Sequence, residues 1–221
     1  MGDVKLVAVY TRSYEPDHLV EGLLANLAPI TDAVVEIDNR GRPWGHEGRL
    51  RARQRLAAIE AGADWVLVMD PDERLEQGAG QIIRPLLEER GNVIYRLALR
   101  ELYTPTQYRV DGKWGLYRRG RLYPVRPGQV MSSKPIHAAP CPVNKDYRRV
   151  PVDVNLYHLK MIEAGNRTAR VAAYGRAERD QRVRRRSWHT MLDQRGMRLE
   201  TIPSGRGYTP AYRPYSARVA A

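Results

Sequence analysis

Three carboxylates follow a short apolar segment in the first third of the chain, as Asp70-Pro71-Asp72-Glu73 after Trp65-Val66-Leu67-Val68-Met69. A continuously apolar segment of this length is typical of a central parallel strand that is covered on both faces. Acidic side chains crowded at the end of such a strand repel one another unless a cation lies between them. Hard oxygen ligands suit Mg²⁺ or Mn²⁺. The structural alternative is an Asp-Pro turn with a helix-capping acid, but the clustering favours a divalent cation bound by Asp70 and Asp72.

A histidine near residue 160 is a second candidate ligand. The segment Val150–Leu159 alternates, so that His158 shares one face of a predicted strand with four apolar residues. It should therefore point inward, where a histidine is more often a hydrogen-bonded core residue than a ligand. Neutral imidazole is nevertheless a competent metal ligand beside carboxylates, and both interpretations stay open on the residues alone.

Two arginines lie one turn apart on a helix that we predict over Gly48 to Gly62. Arg49 and Arg53 are spaced i, i+4 and share a face, so both can reach a phosphate or a base. A solvent-facing basic helix is the equally simple alternative.

The order of predicted elements places these side chains in an α/β fold. The predicted strands over 6–10, 33–38 and 65–69 alternate with helices that begin at Pro16-Asp17 and at Gly48. This β-α-β-α-β order predicts a doubly wound sheet, mixed but mostly parallel, that is flanked by helices and has ligands at the carboxyl ends of its strands. The expected core stripe of the second helix is Ala52, Leu56, Ile59 and Ala63.

The pattern changes in the second half of the chain. We expect a helix near 82–90, a strand over 93–102, short strands and long loops over 103–149, and the strand at 150–159. A basic helical stretch should follow over 163–195, and a proline-containing, irregular tail from 202. The predicted division is therefore a catalytic domain over 1–162, with halves 1–90 and 91–162, and a basic helix and tail over 163–221.

Composition bounds the class of protein. The 221 residues are 43% hydrophobic and 28% charged, as in globular proteins. The net charge of +12 is unevenly spread, with −5 over residues 1–90, +8 over 91–164 and +9 over 165–221. An acidic first half suggests a cation site, and a basic second half suggests anionic partners.

Cysteine usage and hydropathy bear on location. A single cysteine, Cys141, excludes an internal disulfide framework and a cysteine-based zinc site. No apolar run approaches the roughly 20 residues that span a bilayer, and the N-terminus lacks a signal-peptide pattern. We expect a cytoplasmic protein without an integral membrane segment; its oligomeric state is open.

The segment Trp65-Val66-Leu67-Val68-Met69-Asp70-Pro71-Asp72-Glu73-Arg74-Leu75 resembles the D-x-D segment of glycosyltransferases with the GT-A fold. It is most similar to bacterial family-two-like enzymes, whose strand reads W-[IV]-L-x-x-D-x-D-E-R-[LI]. The segments 9–15 and 35–39 also resemble the nucleotide-binding half of that family. The resemblance is specific over roughly residues 4–75, looser over 93–160 and absent after about 175.

The resemblance implies a GT-A-like fold, a nucleotide-diphosphate sugar as donor and Mn²⁺ or Mg²⁺ as cofactor. It implies that Asp70 contacts the ribose or the water shell of the metal, and that Asp72 binds the ion that bridges the diphosphate. Tyr157-His158-Leu159-Lys160 resembles a segment with a metal-binding histidine, which would make His158 the third ligand and place Lys160 near the diphosphate. The residues that it implies around the nucleotide are Thr11, Arg12, Tyr14, Asp38, Asn39, Arg49 and Arg53.

The general base is less clearly marked. Pro135-Ile136-His137-Ala138 resembles a family segment that usually reads I-H-E, but this chain has Ala138 in place of the glutamate. His137 and Asp111 are the candidates to replace it, since a base needs only reach and a suitable pKa. Beside Asp72, these two complete the predicted catalytic set, and inversion or retention at the anomeric carbon stays open.

Two basic segments bear on the acceptor. Trp114–Arg119, with Arg121, resembles the tryptophan- and arginine-bearing acceptor region of the family, although an ordinary hairpin with a basic face is the alternative. The densest basic cluster is Arg182, Arg184, Arg185 and Arg186, followed by Trp188. We expect an anionic acceptor: a glycan, a protein or modified DNA. The rival functions are a nucleotidyltransferase that acts on a sugar phosphate and a basic nucleic-acid-binding module.

Overall fold

A computed structural model of the chain describes residues 4–41, 46–180 and 188–215. The strands in these ranges are β1 (Leu6–Arg12), β2 (Ala33–Asp38), β3 (Trp65–Met69), β4 (Glu73–Leu75), β5 (Val93–Thr104), β6 (Gln107–Arg109), β7 (Arg118–Pro124), β8 (Arg148–His158) and β9 (Leu199–Thr201). The helices are α1 (Asp17–Leu27), α2 (Glu47–Glu60), α3 (Ala79–Leu86) and α4 (Ala164–Asp180). Short 3₁₀ turns cover Leu159–Met161 and Trp188–Met191. None of the described helices is long and apolar enough to cross a membrane.

The first half of the sheet is parallel, as the sequence predicts. β1 lies between β2 and β3 and pairs with both in parallel, with Arg12 opposite Asp38 and Tyr10 opposite Met69. Successive strands run in the same direction because α1 and α2 carry the chain back between them. The carboxyl ends of β1, β2 and β3 therefore meet at one edge of the sheet, and the acidic turn leaves from that edge.

The second half is largely antiparallel, so the expectation of a mostly parallel sheet is wrong there. β7 pairs antiparallel with β3 and with β5, and β5 pairs antiparallel with β6. β4 is antiparallel to β8, and β9 is antiparallel to β6. Of the described strand pairs in this half, β5 and β8 alone are parallel. Parallel neighbours need a long connection, which is usually helical. The described connection between β5 and β8 is long but contains no helix; it runs through the strands β6 and β7 instead.

Helix α2 faces the sheet with a different side from the one that the sequence predicts. Its fully buried residues are Gly48, Gln54 and Ala58, whereas Leu56 is 54% and Ile59 36% exposed. Gln54 turns inward because its Nε2 donates a hydrogen bond to Thr11 Oγ1 at the end of β1, over 2.9 Å. A polar side of the helix thus contacts the strand ends, in place of an apolar side that packs on the core.

The core forms on both faces of the sheet. Alternate residues of β1 separate the two layers: Leu6, Ala8 and Tyr10 pack with α1 and α3, whereas Val7 and Val9 pack on the α2 side. The alternation follows from the two-residue period of a strand. A central strand that is covered on both faces holds the acidic turn on a rigid base.

The C-terminal region packs onto the sheet. Helix α4 is described over Ala164–Asp180, and the basic cluster over 182–186 lies outside the described residues. The helical stretch predicted to about 195 does not extend through Trp188–Met191, which form a 3₁₀ turn. Strand β9 (Leu199–Thr201) extends the sheet beside β6. The described residues after it, 202–215, form no helix or strand, so the irregular tail predicted from 202 is confirmed over this range. Arg206 then donates two hydrogen bonds, of 2.6 and 2.7 Å, to the buried carboxylate of Glu76. This ion pair brings the tail to the segment that follows the acidic turn.

We predict that Gly48→Ala destabilises the protein by about 1–3 kcal/mol, as expected of overpacking. A Cβ at Gly48 would lie 2.4 Å from the backbone oxygen of Ser132 and 2.7 Å from the carbonyl carbon of Ser133. The matched control is Gly165→Ala in α4, where a Cβ meets nothing within 4 Å and helix propensity should stabilise the protein slightly. Urea unfolding of both variants measures the difference, and equal stability of the two would contradict this packing.

Candidate functional site

The acidic turn is continued by a short strand that sets its register against His158. β4 begins at Glu73 and pairs antiparallel with β8, so that Glu73 lies opposite His158. On the other side of β8, the parallel strand β5 places Glu101 opposite the same histidine. Strand pairing alone therefore gathers Asp72, Glu73, Glu101 and His158 at one end of the sheet.

His158 is held by two carboxylates. Its Nδ1 lies 2.6 Å from Glu101 Oε2, and its Nε2 lies 3.3 Å from Asp72 Oδ2. Burial lowers the pKa of His158, but the negative charges of Glu101 and Asp72 outweigh burial and raise it to about 10. Arg170 acts in the opposite direction, because its Nη1 is 3.2 Å from the imidazole Nε2. The imidazole is thus cationic at neutral pH in this arrangement.

Asp72 is buried and faces more than one cation. Lys160 Nζ lies 3.7 Å from Asp72 Oδ2, on the same oxygen that His158 approaches. Burial raises the pKa of Asp72, but His158 and Lys160 together hold it well below its usual range. The side chain is therefore a carboxylate anion at neutral pH.

Asp70 and Glu73 share a different cation. Arg121 Nη2 lies 3.1 Å from Asp70 Oδ2 and is in direct contact with Glu73 Oε1. Glu73 Oε2 also accepts a hydrogen bond of 2.9 Å from the backbone N–H of Asp70. Arg51 of α2 approaches Asp70 from the other side, at 3.9 Å. The carboxylates of the turn are thus paired with basic side chains, so their crowding is not in itself a reason for a metal ion.

Arg74 fixes the turn from beneath. Its buried guanidinium donates to the carbonyl oxygen of Pro71 at 2.9 Å and to that of Leu19 in α1 at 2.8 Å. A hydrogen bond from a charged donor is stronger than a neutral one. The arginine of the D-x-D-E-R segment therefore ties the acidic turn to α1.

The predicted metal ligands are brought together only in part. Within the described ranges, no three aspartate, glutamate, histidine or cysteine side chains lie close enough to hold an ion. Asp72 and His158 do face each other, and Glu101 on the far nitrogen orients the imidazole as outer carboxylates do around metal-bound histidines. Asp70 is directed to Arg121 instead. Mg²⁺ usually completes its shell with water and substrate phosphates, so Asp72 with one further ligand suits it. His158 can be that ligand only as the neutral imidazole, after it loses the proton that it carries in this arrangement.

The residues that the resemblance implies around a nucleotide lie in two places. Five are at or just after the carboxyl ends of β1 and β2, and Arg49 and Arg53 are on α2. Arg12 pairs with Asp17 and is 3.9 Å from Glu36, and Asn39 Nδ2 donates weakly to Ser13 Oγ at 3.4 Å. Arg53 Nη2 donates to the backbone oxygen of Asp38 at 3.4 Å. Thr11 is held by Gln54, whereas Tyr14 and Arg49 are exposed.

The carboxylate of Asp38 is bound to a neighbour on the surface. Both of its oxygens accept hydrogen bonds of 3.0 Å from Arg40. These bonds lower its pKa to about 2. A ligand that hydrogen-bonds to Asp38 must therefore displace Arg40 or use the backbone.

His137 reaches the site through α4. Its ring lies 5.6 Å, between centroids, from that of Tyr174, whose hydroxyl accepts a hydrogen bond of 3.2 Å from Arg170 Nη2. The next residue, Ala138, donates its backbone N–H to Glu47 Oε2 at 2.8 Å. A carboxylate from the first turn of α2 thus stands beside the position where the resembling family has its own glutamate.

Asp111 is not brought to the other candidates. Its two oxygens accept hydrogen bonds of 2.8 and 2.9 Å from Arg109, and Oδ1 also accepts one from the backbone N–H of Arg198. Arg109 in turn donates to Tyr103 and to the backbone oxygen of Thr190. Asp111 therefore stabilises the contact between β6 and the C-terminal region, and this geometry does not favour it as a base.

The expected acceptor region presents a different surface. Trp114 is only 5% exposed and packs against the guanidinium of Arg109, and Arg121 is buried beneath the acidic turn. Neither side chain is placed to stack on a sugar. The exposed large side chains of this segment are Leu116 and Tyr117, with Arg119 over the ring of Tyr117.

Sequence reasoning missed Glu101 and Arg170. The signal for Glu101 was present, because it follows Tyr95, Leu97 and Leu99 at two-residue spacing on the apolar face of a strand. His158 ends the apolar face of β8 in the same way. Two polar residues that end two apolar faces are expected to meet if the strands are parallel neighbours. Arg170 lies in a helix with many basic residues, and nothing in its spacing distinguishes it.

Comparisons with known proteins give no name to this site. No protein-family model matches the chain, and no curated protein matches it. A solved structure described as the crystal structure of A197 from STIV is similar over 70% of this chain and 85% of that chain, with 12% identity and a TM-score of 0.38. At this TM-score the likeness supports neither a fold family nor a function.

We predict that Asp111→Asn lowers the free energy of unfolding by about 1–2 kcal/mol at pH 7, because it removes a charge-assisted pair with Arg109. Arg109 lowers the pKa of Asp111 in the folded state. Its stabilisation is therefore present above the unfolded pKa of about 3.9 and is lost as the pH falls through the lower folded value. Urea unfolding at several pH values measures this, and equal stability of variant and wild type at pH 7 would contradict it.

Proposed function

We propose that the protein is a glycosyltransferase that moves a sugar from a nucleotide-diphosphate sugar to an acceptor. The observation that supports this most is the arrangement at Asp72, a buried carboxylate at the carboxyl end of β3 that Lys160 and the cationic His158 both face. Arg170 contacts the same imidazole and adds a third positive charge nearby. Cations that are fixed at the edge of an α/β sheet suit a ligand with clustered negative charge. A diphosphate is such a ligand.

Electrostatic stabilisation of the leaving group is the chemistry that these residues supply best. When the bond between the anomeric carbon and the phosphate oxygen breaks, negative charge develops on the diphosphate. Lys160 and Arg170 are already held near Asp72 by the fold, so no reorganisation is needed as that charge appears. Asp72 pairs with Lys160, and Arg170 is held by its contacts with His158 and Tyr174.

The nucleotide would lie beside this point, over the ends of β1 and β2. Thr11 is in β1, which lies beside β3, and Asp38 is in β2 on the other side of β1. Arg53 donates a hydrogen bond to the backbone oxygen of Asp38. We include a GT-A-like fold in the proposal, because three parallel strands lead to an acidic turn and to antiparallel strands beyond it. The single cysteine, Cys141, is buried and free, in keeping with a reducing cytoplasm.

Asp72, and His158 once its imidazole has lost a proton, are the residues that would hold Mn²⁺ or Mg²⁺. When bound, such an ion supplies further neutralisation of the diphosphate. Glu101 holds the imidazole with Nε2 toward Asp72 whether or not an ion is present. Asp70 would contribute indirectly, through Arg121 and Arg51.

The acceptor is proposed to be anionic, because residues 91–164 carry a net charge of +8. His137 is the base candidate that is linked to the site, because its ring packs against Tyr174, which binds Arg170.

A nucleotidyltransferase would use the same carboxylate and cations, but its nucleophile would attack phosphorus. The two reactions differ in their products. A glycosyltransferase releases a nucleoside diphosphate from a sugar nucleotide, whereas a nucleotidyltransferase releases pyrophosphate from a nucleoside triphosphate.

We predict that Asp72→Asn lowers hydrolysis or transfer of nucleotide sugars by about 100-fold or more, a loss typical of a removed electrostatic group in an active site. The variant is nearly isosteric, so circular dichroism should show a folded protein. The control is Asp193→Asn, which removes a carboxylate that is 40% exposed and pairs with Arg195, away from the acidic turn in the chain. Release of nucleoside diphosphate is the measurement, and wild-type turnover by Asp72→Asn would refute the assigned role.

We also predict that chelation of divalent cations abolishes turnover and that Mn²⁺ or Mg²⁺ restores it. His158→Gln should raise the concentration of Mn²⁺ needed for half-maximal turnover, since it removes one of the two ligands. Loss of an outer carboxylate typically weakens metal affinity 10- to 100-fold, so Glu101→Gln should act in the same direction. Full activity in excess EDTA would show that the basic side chains neutralise the diphosphate alone.

A further inference from the structure

The end of the described chain folds back beside the candidate site. Asn166 Nδ2, in α4, donates a hydrogen bond of 3.1 Å to the backbone oxygen of Tyr215. The Tyr215 ring packs edge-on against His18 of α1, with centroids 6.1 Å apart. Nearby, the Tyr212 hydroxyl donates to Glu163 Oε1 at 3.0 Å. The tail is thus placed between α1 and the start of α4.

Three buried polar atoms at this place have no hydrogen-bond partner among the described residues. They are the Tyr215 hydroxyl oxygen, His18 Nε2 and Arg170 Nε. A buried polar atom without a partner destabilises a folded protein, and such atoms are rare. Two of them lie at one ring contact, His18 with Tyr215, and the third is one helical turn from Asn166, which binds the Tyr215 backbone. Among the described residues, this region therefore offers hydrogen-bonding groups that are open to a ligand.

This region adjoins the cations at Asp72. Asn166 and Arg170 are one turn apart on the same face of α4, so the residue that binds the Tyr215 backbone lies next to the one that contacts His158. Burial raises the pKa of the Tyr215 hydroxyl, and the negative charge of Asp72 raises it further. The hydroxyl therefore stays protonated and is available as a donor.

We propose that Tyr215 is a donor-binding residue that the C-terminal tail delivers to the site, where its hydroxyl and Arg170 Nε donate hydrogen bonds to the diphosphate oxygens of the nucleotide sugar. The proposal rests on the proposed function. Its chemistry follows from the unpaired groups: the arginine nitrogen can only donate, and a protonated hydroxyl beside a carboxylate also donates. Phosphate oxygens are acceptors with no proton to give. His18 orients the Tyr215 ring through its edge-on contact.

The test compares two tyrosine variants in the full-length protein. Tyr215→Phe removes a hydroxyl without a partner, so the ligand-free protein should unfold at the wild-type temperature or above it. Its affinity for a nucleoside diphosphate should fall about tenfold, the effect of one hydrogen bond to a charged group. The matched control is Tyr208→Phe in the same tail, whose hydroxyl already donates to the backbone oxygen of Pro105 at 2.9 Å. It should lower the unfolding temperature and leave the affinity unchanged.

Calorimetric titration with UDP, GDP, ADP, CDP and dTDP, and with inorganic pyrophosphate, separates the possible failures. If the wild type binds at least one of these ligands and Tyr215→Phe binds it equally well, the role of Tyr215 is overturned and the proposed function stands. If the wild type binds none of them, both proposals are overturned. If Tyr215→Phe destabilises the ligand-free protein as much as Tyr208→Phe does, the hydroxyl has a structural partner and the inference is wrong.

Discussion

Balance of buried charge at the carboxyl end of β3 is the constraint on which the rest of this structure depends. Asp72, Glu73 and Glu101 are buried, and an unpaired buried carboxylate is strongly destabilising. Asp72 and Glu101 share His158 of β8, and Asp72 also faces Lys160 from the turn after β8. Glu73 faces Arg121 of β7. The pairing of β4, β5, β7 and β8 is therefore also the pairing of these charges.

The same balance gives the site its chemical character. Asp72 holds Lys160 and His158, and Arg170 stands behind the imidazole, so positive charge is concentrated where the strand ends. A ligand with clustered negative charge could take over the contacts that these basic side chains now make with Asp72. The cations would serve a diphosphate in this way with or without an added ion, whereas a neutral ligand gains nothing from them.

Local signals in the sequence predicted the elements of the first half and the position of the acidic turn. β1, β2 and β3 occur where apolar segments indicate them, and α1 begins at Asp17 as expected. Period and burial could also place His158 on the inner face of its strand. These features depend on residues that are near one another in the chain, so a pattern of a few residues is enough to reveal them.

Features that depend on distant pairs were missed. The short strand β4 exists because Glu73 pairs with β8 some 85 residues later, and nothing in the residues 73–75 indicates it. The inward side of α2 was wrong because Gln54 and Arg51 serve the strand ends instead of the core. The tail is irregular as predicted, but its attachment through Arg206 to the distant Glu76 was missed. In each case a contact between residues far apart in the chain decides a feature that the local pattern does not show.

The measurement that tests the central claim most directly is a crystal structure of the protein with UDP and Mn²⁺. The account predicts the diphosphate at the carboxyl end of β3, within hydrogen-bond distance of Lys160 and Arg170, with the ion between it and Asp72. A diphosphate bound elsewhere, with Asp72 still paired to His158 and Lys160 as in the free protein, would contradict it.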